Sequence, residues 1–333
     1  MKAKLVPGLD PAHYKPHFIH DETRAWAETN CYVDLWVETL HGLGLDPVAA
    51  LAFCVAIDLE GDQWTFFKYP IVDLEQMYGL EIIELNPWRS LVGQSAEQIA
   101  LGRAVVVELD AWYLPDTAGN TYHAEHVKTS CTLESIDEEA RRMTYFHGAG
   151  YWTLEGEDFD GIFRLGPQSP GVVHLPPYVE VAKLGKRPPL TGTAQVDAAL
   201  AQLRRHLQRR PVANPFVAYA DKFQRDLEWL QKADLATFHG YAFATMRQFG
   251  ACFELAATFC RWLCERMPAP PAGSDDLQQA AVAFDKISDT TKTMQFKLAR
   301  AVRGKPVDFA PLLATLKSSW DLGMDRLDRV AAA

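Results

Sequence analysis

The stretch AWAETNCYVDLWVETLHGLGLDP, from Ala25 to Pro47, decides the fold class. Apolar residues recur at helical spacing between Glu28 and Leu43, and two glycines then end the predicted helix. Cys31 lies at the start of this helix. A cysteine at a helix N-terminus feels the positive end of the helix dipole and nearby free N–H groups, which favour the nucleophilic thiolate. The alternative interpretation is an ordinary cysteine packed in the core.

The chain on either side of this helix predicts an α+β domain over residues 25–165. Residues 1–24 read as an irregular N-terminal arm, because prolines interrupt them. Beyond the helix, DLEQMYGLEIIEL and SAEQIALGRAVVVELDAWYL each predict a helix followed by a strand. HVKTSCTLESID and RRMTYFHGAGYWTL predict two further strands joined by a turn at DEEA. Helices therefore come first and strands cluster after residue 80.

The pattern of the sequence changes near residue 194. The segment 166–193 is rich in proline and glycine and predicts a linker. Five segments with helical apolar spacing follow, and they predict an all-helical domain over residues 194–333. The whole chain is thus predicted to consist of an α+β domain, a linker and a helical domain.

Composition excludes several function classes. A net charge of -10 argues against nucleic-acid binding as the main task. No apolar run is long enough to span a bilayer, and the N-terminus has no apolar core of the signal-peptide kind, so we expect a cytoplasmic protein without a membrane partner. The six cysteines lack metal-knuckle spacing, and neither a GxxxxGK[ST] nor a GxGxxG motif is present. We expect no metal and no nucleotide cofactor.

A thiol nucleophile needs an imidazole beside it, and that imidazole needs an orienting group. His126 opens a predicted strand and His147 lies on the next one, so both are candidate bases. Asp110, Asp116 and Asp158 are the candidate orienting carboxylates. The order of a helix-borne cysteine followed by strand-borne histidines is typical of papain-like folds.

Five stretches carry a resemblance to a known family: ETNCYVDLW, GDQWTFFKYP, DAWYLPDT with the following YHAEHVKT, YFHGAGY with the following GEDFDG, and FHGYAFATMRQFGACFELAA. Together they resemble a bacterial family of unknown function, which is similar in turn to the butirosin biosynthesis protein H group and to the cysteine peptidases of bacteriocin exporters. The resemblance implies a papain-like domain followed by an all-helical domain. It also implies an acyltransferase that moves an acyl or aminoacyl group from a carrier-protein thioester, through a Cys31 acyl-enzyme, to a small-molecule amine.

One departure from that pattern bears on activity. In the butirosin-type pattern the catalytic histidine falls at the position of Thr129, and the acid falls near Phe146 or His147. Either His126 has taken the role of the base, which is the interpretation we favour, or His147 supplies the imidazole. Loss of the triad would leave a non-catalytic binding protein, and resolution of the acyl-enzyme by water would make the chain a cysteine hydrolase (a peptidase, amidase or thioesterase).

Five further residues are candidates for substrate binding. They are polar groups near the predicted site: Asn30, Asp116, Lys128, Thr129 and Arg247. Lys128 follows His126 by two residues, which places both on one side of an extended strand, where the ammonium could anchor a carboxylate or a carrier phosphate. The phosphopantetheine of the partner carrier protein is the only prosthetic group that this scheme involves.

Overall fold

The computed structural model describes residues 2–166, 175–267 and 273–332, and the chain forms two compact units. The first unit comprises Met1–His20, Asn30–Pro47 and Leu74–Pro189. The second comprises Asp21–Thr29, Val48–Asp73 and Leu190–Ala333. Two short N-terminal segments therefore belong with the C-terminal half of the chain. The predicted boundaries at 25–165 and 194–333 stay a prediction, and residues 167–174 of the predicted linker lie outside the described residues.

Numbered in chain order, the strands are β1 (Lys2–Lys4), β2 (Leu59–Glu60), β3 (Gln63–Trp64), β4 (Glu81–Leu85), β5 (Arg103–Asp110), β6 (Lys128–Asp137), β7 (Arg142–His147), β8 (Gly150–Glu155) and β9 (Val179–Lys183). The helices are α1 (Cys31–Gly42), α2 (Ile71–Tyr78), α3 (Leu91–Ala100), α4 (Glu157–Ile162), α5 (Gly192–Leu207), α6 (Pro215–Leu230), α7 (Leu235–Ala242), α8 (Gln248–Arg266), α9 (Ser274–Val302) and α10 (Ala310–Ala332). A π-helical turn, Phe243–Arg247, joins α7 to α8.

The first unit is built on one antiparallel sheet. Its strand order is β4–β9–β5–β6–β7–β8, and β1 pairs with the far end of β6. In the register of β5 and β6, Asp110 lies opposite Lys128 and Leu109 lies opposite Thr129. The carboxyl ends of β4 and β5 and the amino ends of β6 and β9 therefore meet at one end of the sheet.

Different helices cover the two faces of this sheet. Alternate residues of the strands, such as Val107, Leu109 and Cys131, pack into one core together with α3 and α4. The intervening residues point to the opposite face because side chains alternate along a strand. On that face, α1 packs closely: Gly42 lies against the Phe146 ring, and Tyr32 donates to Glu180 at 2.9 Å.

The second unit is helical apart from the β2–β3 hairpin. Trp64 of β3 packs among Phe216, Tyr219 and Phe249. At another point of the unit, the buried carboxylate of Asp73 forms an ion pair with Arg205 of α5 and a hydrogen bond of 2.6 Å with His206, whose pKa burial and the neighbouring arginines lower to about 4. The segment Val48–Asp73 therefore supplies both an aromatic and a charged group to this unit.

The α+β class and the C-terminal helical region are confirmed, and a papain-like fold stays a prediction. Two local differences have physical reasons. RRMTYFHGAGYWTL forms the hairpin β7–β8 rather than one strand, because Gly148 adopts a positive φ of 51° at the turn. The N-terminal arm supplies β1, whose three residues are too few to give a periodic pattern.

No helix in the described ranges combines the length and apolarity that crossing a membrane requires.

Candidate active site

Cys31 is the first residue of α1, and its thiol is partly exposed. The side-chain oxygen of Asn30 caps the helix by accepting hydrogen bonds from the backbone N–H groups of Tyr32 and Val33, at 3.2 and 3.0 Å. The dipole of α1 consequently acts on the thiol. Asn30, predicted as a substrate contact, uses its oxygen in this cap. Four of the other cysteines are buried, and Cys264 on α8 is the second one that is partly exposed.

The imidazole of His126 is paired with a carboxylate at the end of β5. Its Nδ1 lies 2.7 Å from Oδ2 of Asp110, and the other oxygen of Asp110 accepts from the N–H of Trp112 at 3.1 Å. The Trp112 ring stacks on the imidazole with centroids 4.4 Å apart. In the neutral tautomer with its proton on Nδ1, His126 donates to Asp110 and keeps Nε2 as a hydrogen-bond acceptor. The side chain of His126 is 65% exposed.

A groove of about 1120 Å³ occupies the end of the sheet where β5 ends and β6 and β9 begin. His126 and Asp110 line it together with a second pair, in which Lys128 Nζ lies 2.6 Å from Oε1 of Glu108. The remaining walls come from the segment before α3, from α4 and the residues after it, and from the segment before β9. Together with the end of β5 and the residues beside it, these segments contribute Trp88, Arg89, Leu109, Tyr113, Val127, Asp160, Ile162, Phe163, Arg164, Pro176 and Pro177.

The second candidate imidazole, His147, belongs to a buried network. Its Nδ1 lies 2.5 Å from Oδ2 of Asp116, and its Nε2 lies 2.8 Å from the hydroxyl of Thr129. The hydroxyl of Tyr145 donates to the other oxygen of Asp116 at 2.5 Å. Burial raises the pKa of Tyr145 far above its usual range, and the carboxylate of Asp116 adds to that shift. Both nitrogens of His147 are thus engaged within the fold.

Strand alternation separates the two imidazole–carboxylate pairs. Thr129 and His147 point to the side of the sheet that α3 and α4 cover, because their strand neighbours Leu109 and Tyr145 belong to that core. Glu108, Asp110 and Lys128 point to the opposite side, against which α1 packs. The two pairs therefore occupy separate places. Burial raises the pKa of the Cys131 thiol and the nearby Asp116 and Cys31 add to the shift, so Cys31 lies near the strand that also carries Thr129.

The start of α1 lies at the same end of the sheet as the groove. The Tyr32 hydroxyl bonds to Glu180, the second residue of β9, and Pro176 and Pro177 just before β9 line the groove. Cys31 itself does not line the groove, and in the described part of the chain no hydrogen bond joins its thiol to an imidazole.

Arg247 lies in the second unit and contacts the segment that leads to α1. Its Nε donates to the carbonyl oxygen of Thr29 at 2.8 Å, and an Nη lies 3.6 Å from the carboxylate of Glu28. The guanidinium also lies over the Phe243 ring. The side chain of Arg247 is thus held by contacts within the protein. Its predicted role in substrate binding stays a prediction.

Sequence reasoning missed three features of the site. Trp88 and Arg89 form one wall of the groove, and Trp112 stacks on His126. The available signal was the stretch DAWYLPDT, in which a tryptophan follows the strand-end Asp110 by two residues. Within the described residues, no cluster of three or more histidine, cysteine or acidic side chains is arranged to hold a metal ion.

The family is shown by comparison with family models. The DUF1839 N-terminal domain matches residues 15–184, and the DUF1839 C-terminal domain matches residues 192–329. The chain belongs to the DUF1839 family, a family of unknown function. No curated protein matches the chain. Cys31, His126 and the groove all lie within the span of the N-terminal family domain.

Proposed function

We propose that this DUF1839 protein is a cysteine-dependent acyltransferase that takes an acyl or aminoacyl group from a carrier-protein thioester to an amine. The observation that carries the proposal is the pair formed by His126 and Asp110, at 2.7 Å, in the same compact unit as α1, which begins with Cys31. The resemblance of the sequence to the butirosin biosynthesis protein H group supports the choice of donor. A papain-like arrangement of helix and sheet is part of the same proposal.

The reaction has two balanced steps. The Cys31 thiolate attacks the thioester carbonyl, a new S–C bond forms, and the carrier thiolate leaves and takes up a proton. The acceptor amine then attacks the acyl-enzyme, its N–C bond forms as the bond to Cys31 breaks, and the cysteine leaves as a thiolate. The Nε2 of His126 takes the proton that the amine loses, and Asp110 stabilises the resulting imidazolium.

The roles of the helix and of the carboxylate follow from elementary electrostatics. Because Cys31 occupies the first position of α1, the positive end of the helix dipole favours its thiolate both before attack and as a leaving group. Because Asp110 accepts from Nδ1 of His126, Nε2 is left as the basic nitrogen. Neither role requires a metal ion.

Intact-mass spectrometry after incubation with a panel of acylated and aminoacylated carrier proteins tests the proposal. We expect a mass gain equal to the acyl group in the wild type and none in Cys31→Ala. Cys264→Ala is the matched control, since Cys264 is the other partly exposed cysteine and lies on a different helix; it should acquire the same adduct as the wild type. An adduct that persists in Cys31→Ala contradicts the proposal.

One observation favours a second candidate, a non-catalytic binding protein. In the described residues the Cys31 thiol has no hydrogen bond to an imidazole, and Thr129 stands where the resembling group has its histidine. A binding protein would protect carrier thioesters without forming an adduct, and its Cys31 would be alkylated at the rate of a model thiol. An adduct that decays in buffer without added amine would instead identify a hydrolase.

A further inference from the structure

Two acid–base pairs lie side by side on one wall of the groove. Lys128 is paired with Glu108, and His126 is paired with Asp110. The two carboxylates are the more covered partners, with side chains 27% and 34% exposed, whereas Lys128 is 69% exposed. A molecule entering the groove therefore meets the ammonium of Lys128 and the imidazole of His126 before it meets the carboxylates.

These two groups differ in what they recognise. The ammonium of Lys128 carries a positive charge and three N–H donors, of which Glu108 takes one, so it can bind a carboxylate. The Nε2 of neutral His126 is an acceptor, because the proton on Nδ1 faces Asp110. It can accept a hydrogen bond from an ammonium group, and the Asp110 carboxylate behind it adds a favourable negative charge.

The spacing of the two groups suits a short zwitterion. Two residues separate them along the chain, so their Cα atoms lie at most roughly 7 Å apart, and both residues line the groove. An α-amino acid carries its ammonium and its carboxylate on one carbon, so a single small molecule can offer a hydrogen bond of about 3 Å to each group. The rest of the groove combines apolar side chains, such as Leu109, Tyr113 and Phe163, with the charged Arg89, Asp160 and Arg164, so it has room and partners for a side chain of the bound molecule.

We propose that the groove binds an α-amino acid, its carboxylate on Lys128 and its ammonium on Nε2 of His126. As the acceptor of acyl transfer, a role that rests on the proposed function, this amino acid would lose one proton through His126 to solvent and attack the acyl-enzyme as a neutral amine. The second proton, released as the amide forms and the bond to Cys31 breaks, passes to Nε2 of His126. Binding itself needs neither an acyl donor nor Cys31.

Isothermal titration calorimetry on Cys31→Ala protein tests the inference. The standard amino acids are titrated first, and the tightest binder is compared with its carboxamide and its N-acetyl derivative. Since hydrogen bonds to charged groups contribute about 1.5–3 kcal/mol, each derivative should bind roughly 10- to 100-fold more weakly than the amino acid. Equal affinity for the amino acid and its carboxamide would overturn the role of Lys128, and absence of binding by any amino acid at about 10 mM would overturn the whole inference.

Variants of two lysines give the matched comparison. Lys128→Met should reduce the affinity for the amino acid to that for the carboxamide, and Lys128→Arg should restore much of it. Lys186→Met is the control, because Lys186 is also exposed and also paired with a glutamate, Glu81, but does not line the groove. If the amino acid binds as described while Cys31 forms no adduct, the groove assignment holds and the acyltransferase proposal fails. If Cys31 forms an adduct while no amino acid binds, the acyltransferase proposal holds and the groove assignment fails.

Discussion

Two exposed histidines of the loop between β5 and β6 pair with carboxylates, and they differ in their surroundings. His126 and Asp110 line the groove, whereas His123 and Asp158, 2.8 Å apart, do not. Asp110→Asn should lower the single-turnover rate of acyl transfer by roughly 10²- to 10⁴-fold, because the amide no longer holds the imidazole in the tautomer that leaves Nε2 basic.

The matching substitution Asp158→Asn disturbs an equivalent pair outside the groove. Its transfer rate should stay within about threefold of the wild type, since no transition-state interaction is removed. Quenched-flow mixing of acyl-enzyme with amine measures both rates. Equal losses in the two variants would show that Asp110 acts through stability alone.

Burial of His20 beside two carboxylates of α1 makes the stability of the first unit depend on pH. Burial alone would lower the pKa of His20, but hydrogen bonds to Asp34 and Glu38 raise it to about 9. The folded pKa lies above the unfolded value of about 6.5, so the stabilisation is fully present below pH ~6.5 and is lost as the pH rises through ~9. His17 also lies near Glu38, but burial lowers its pKa to about 4, so it stays neutral across this window.

Urea unfolding at pH 6.5 and at pH 9.5 checks this dependence. The wild type should lose free energy of unfolding over this range, by roughly 3 kcal/mol at most. His20→Gln should be less stable at pH 6.5 and should show a flatter profile. His13→Gln removes an exposed histidine–aspartate pair and is the control. A profile of His20→Gln parallel to that of the wild type would contradict the assignment.

Features of the site that depend on neighbouring residues could be predicted from the sequence, whereas contacts between residues far apart in the chain could not. The cap at Asn30 and the helix start at Cys31 follow from local pattern, and so do the ends of the strands that carry Asp110 and His126. The pairing of Asp110 with His126 spans 16 residues and depends on strand register, which the sequence left open among several carboxylates. The network of Asp116 with His147 spans 31 residues and depends on the same register and on the strand that follows.

At the scale of elements, helical periodicity proved more informative than strand runs. All five predicted C-terminal segments contain helices, because each repeats apolar residues over three turns or more. In the run that forms β7 and β8, two glycines were the only indication of the hairpin turn. The π-helical turn Phe243–Arg247 lies inside a segment whose apolar spacing predicts one continuous helix. Periodicity identifies the type of an element and not the interruptions within it.

The packing of α10 on α9 depends on a glycine. A Cβ at Gly323 would lie 2.4 Å from the ring of Phe284, which is fully buried and has little freedom to move. Gly323→Ala should therefore lower the free energy of unfolding by about 1–3 kcal/mol, as overpacked cores do. Gly240→Ala in α7 is the control: its Cβ meets nothing within 4 Å, so the better helix propensity of alanine should stabilise the protein slightly.

Chemical denaturation monitored by circular dichroism measures both glycine variants. The difference in sign between them is the informative result, because both replace a helical glycine by alanine. If Gly323→Ala were as stable as the wild type, the Phe284 ring or the two helices could move apart without cost, and the proposed overpacking would be contradicted.

At the scale of the whole molecule, the boundary between the family domains and the composition of the compact units differ. The C-terminal family domain begins at residue 192, but the second unit also contains Asp21–Thr29 and Val48–Asp73. These segments are integral to its core: Trp26 donates to Ser288 at 3.0 Å and Trp64 stacks among the aromatic residues of α6 and α8. No periodic pattern could reveal this, since the contacts join residues more than 150 positions apart.

A fragment of residues 192–333 should therefore fold poorly by itself. It lacks Trp26, Trp64 and Asp73, and so it exposes the aromatic surface that Trp64 covers and leaves Arg205 and His206 without their carboxylate. Replacing Trp64 by alanine in the full chain removes one of these contacts and should cost about 3–5 kcal/mol. We expect the fragment to show helical far-UV circular dichroism without a cooperative thermal transition, and to bind a hydrophobic dye. If the fragment unfolded cooperatively at the melting temperature of the intact protein, the prediction would be wrong. Residues 192–333 would then form a stable helical domain that does not need the N-terminal segments.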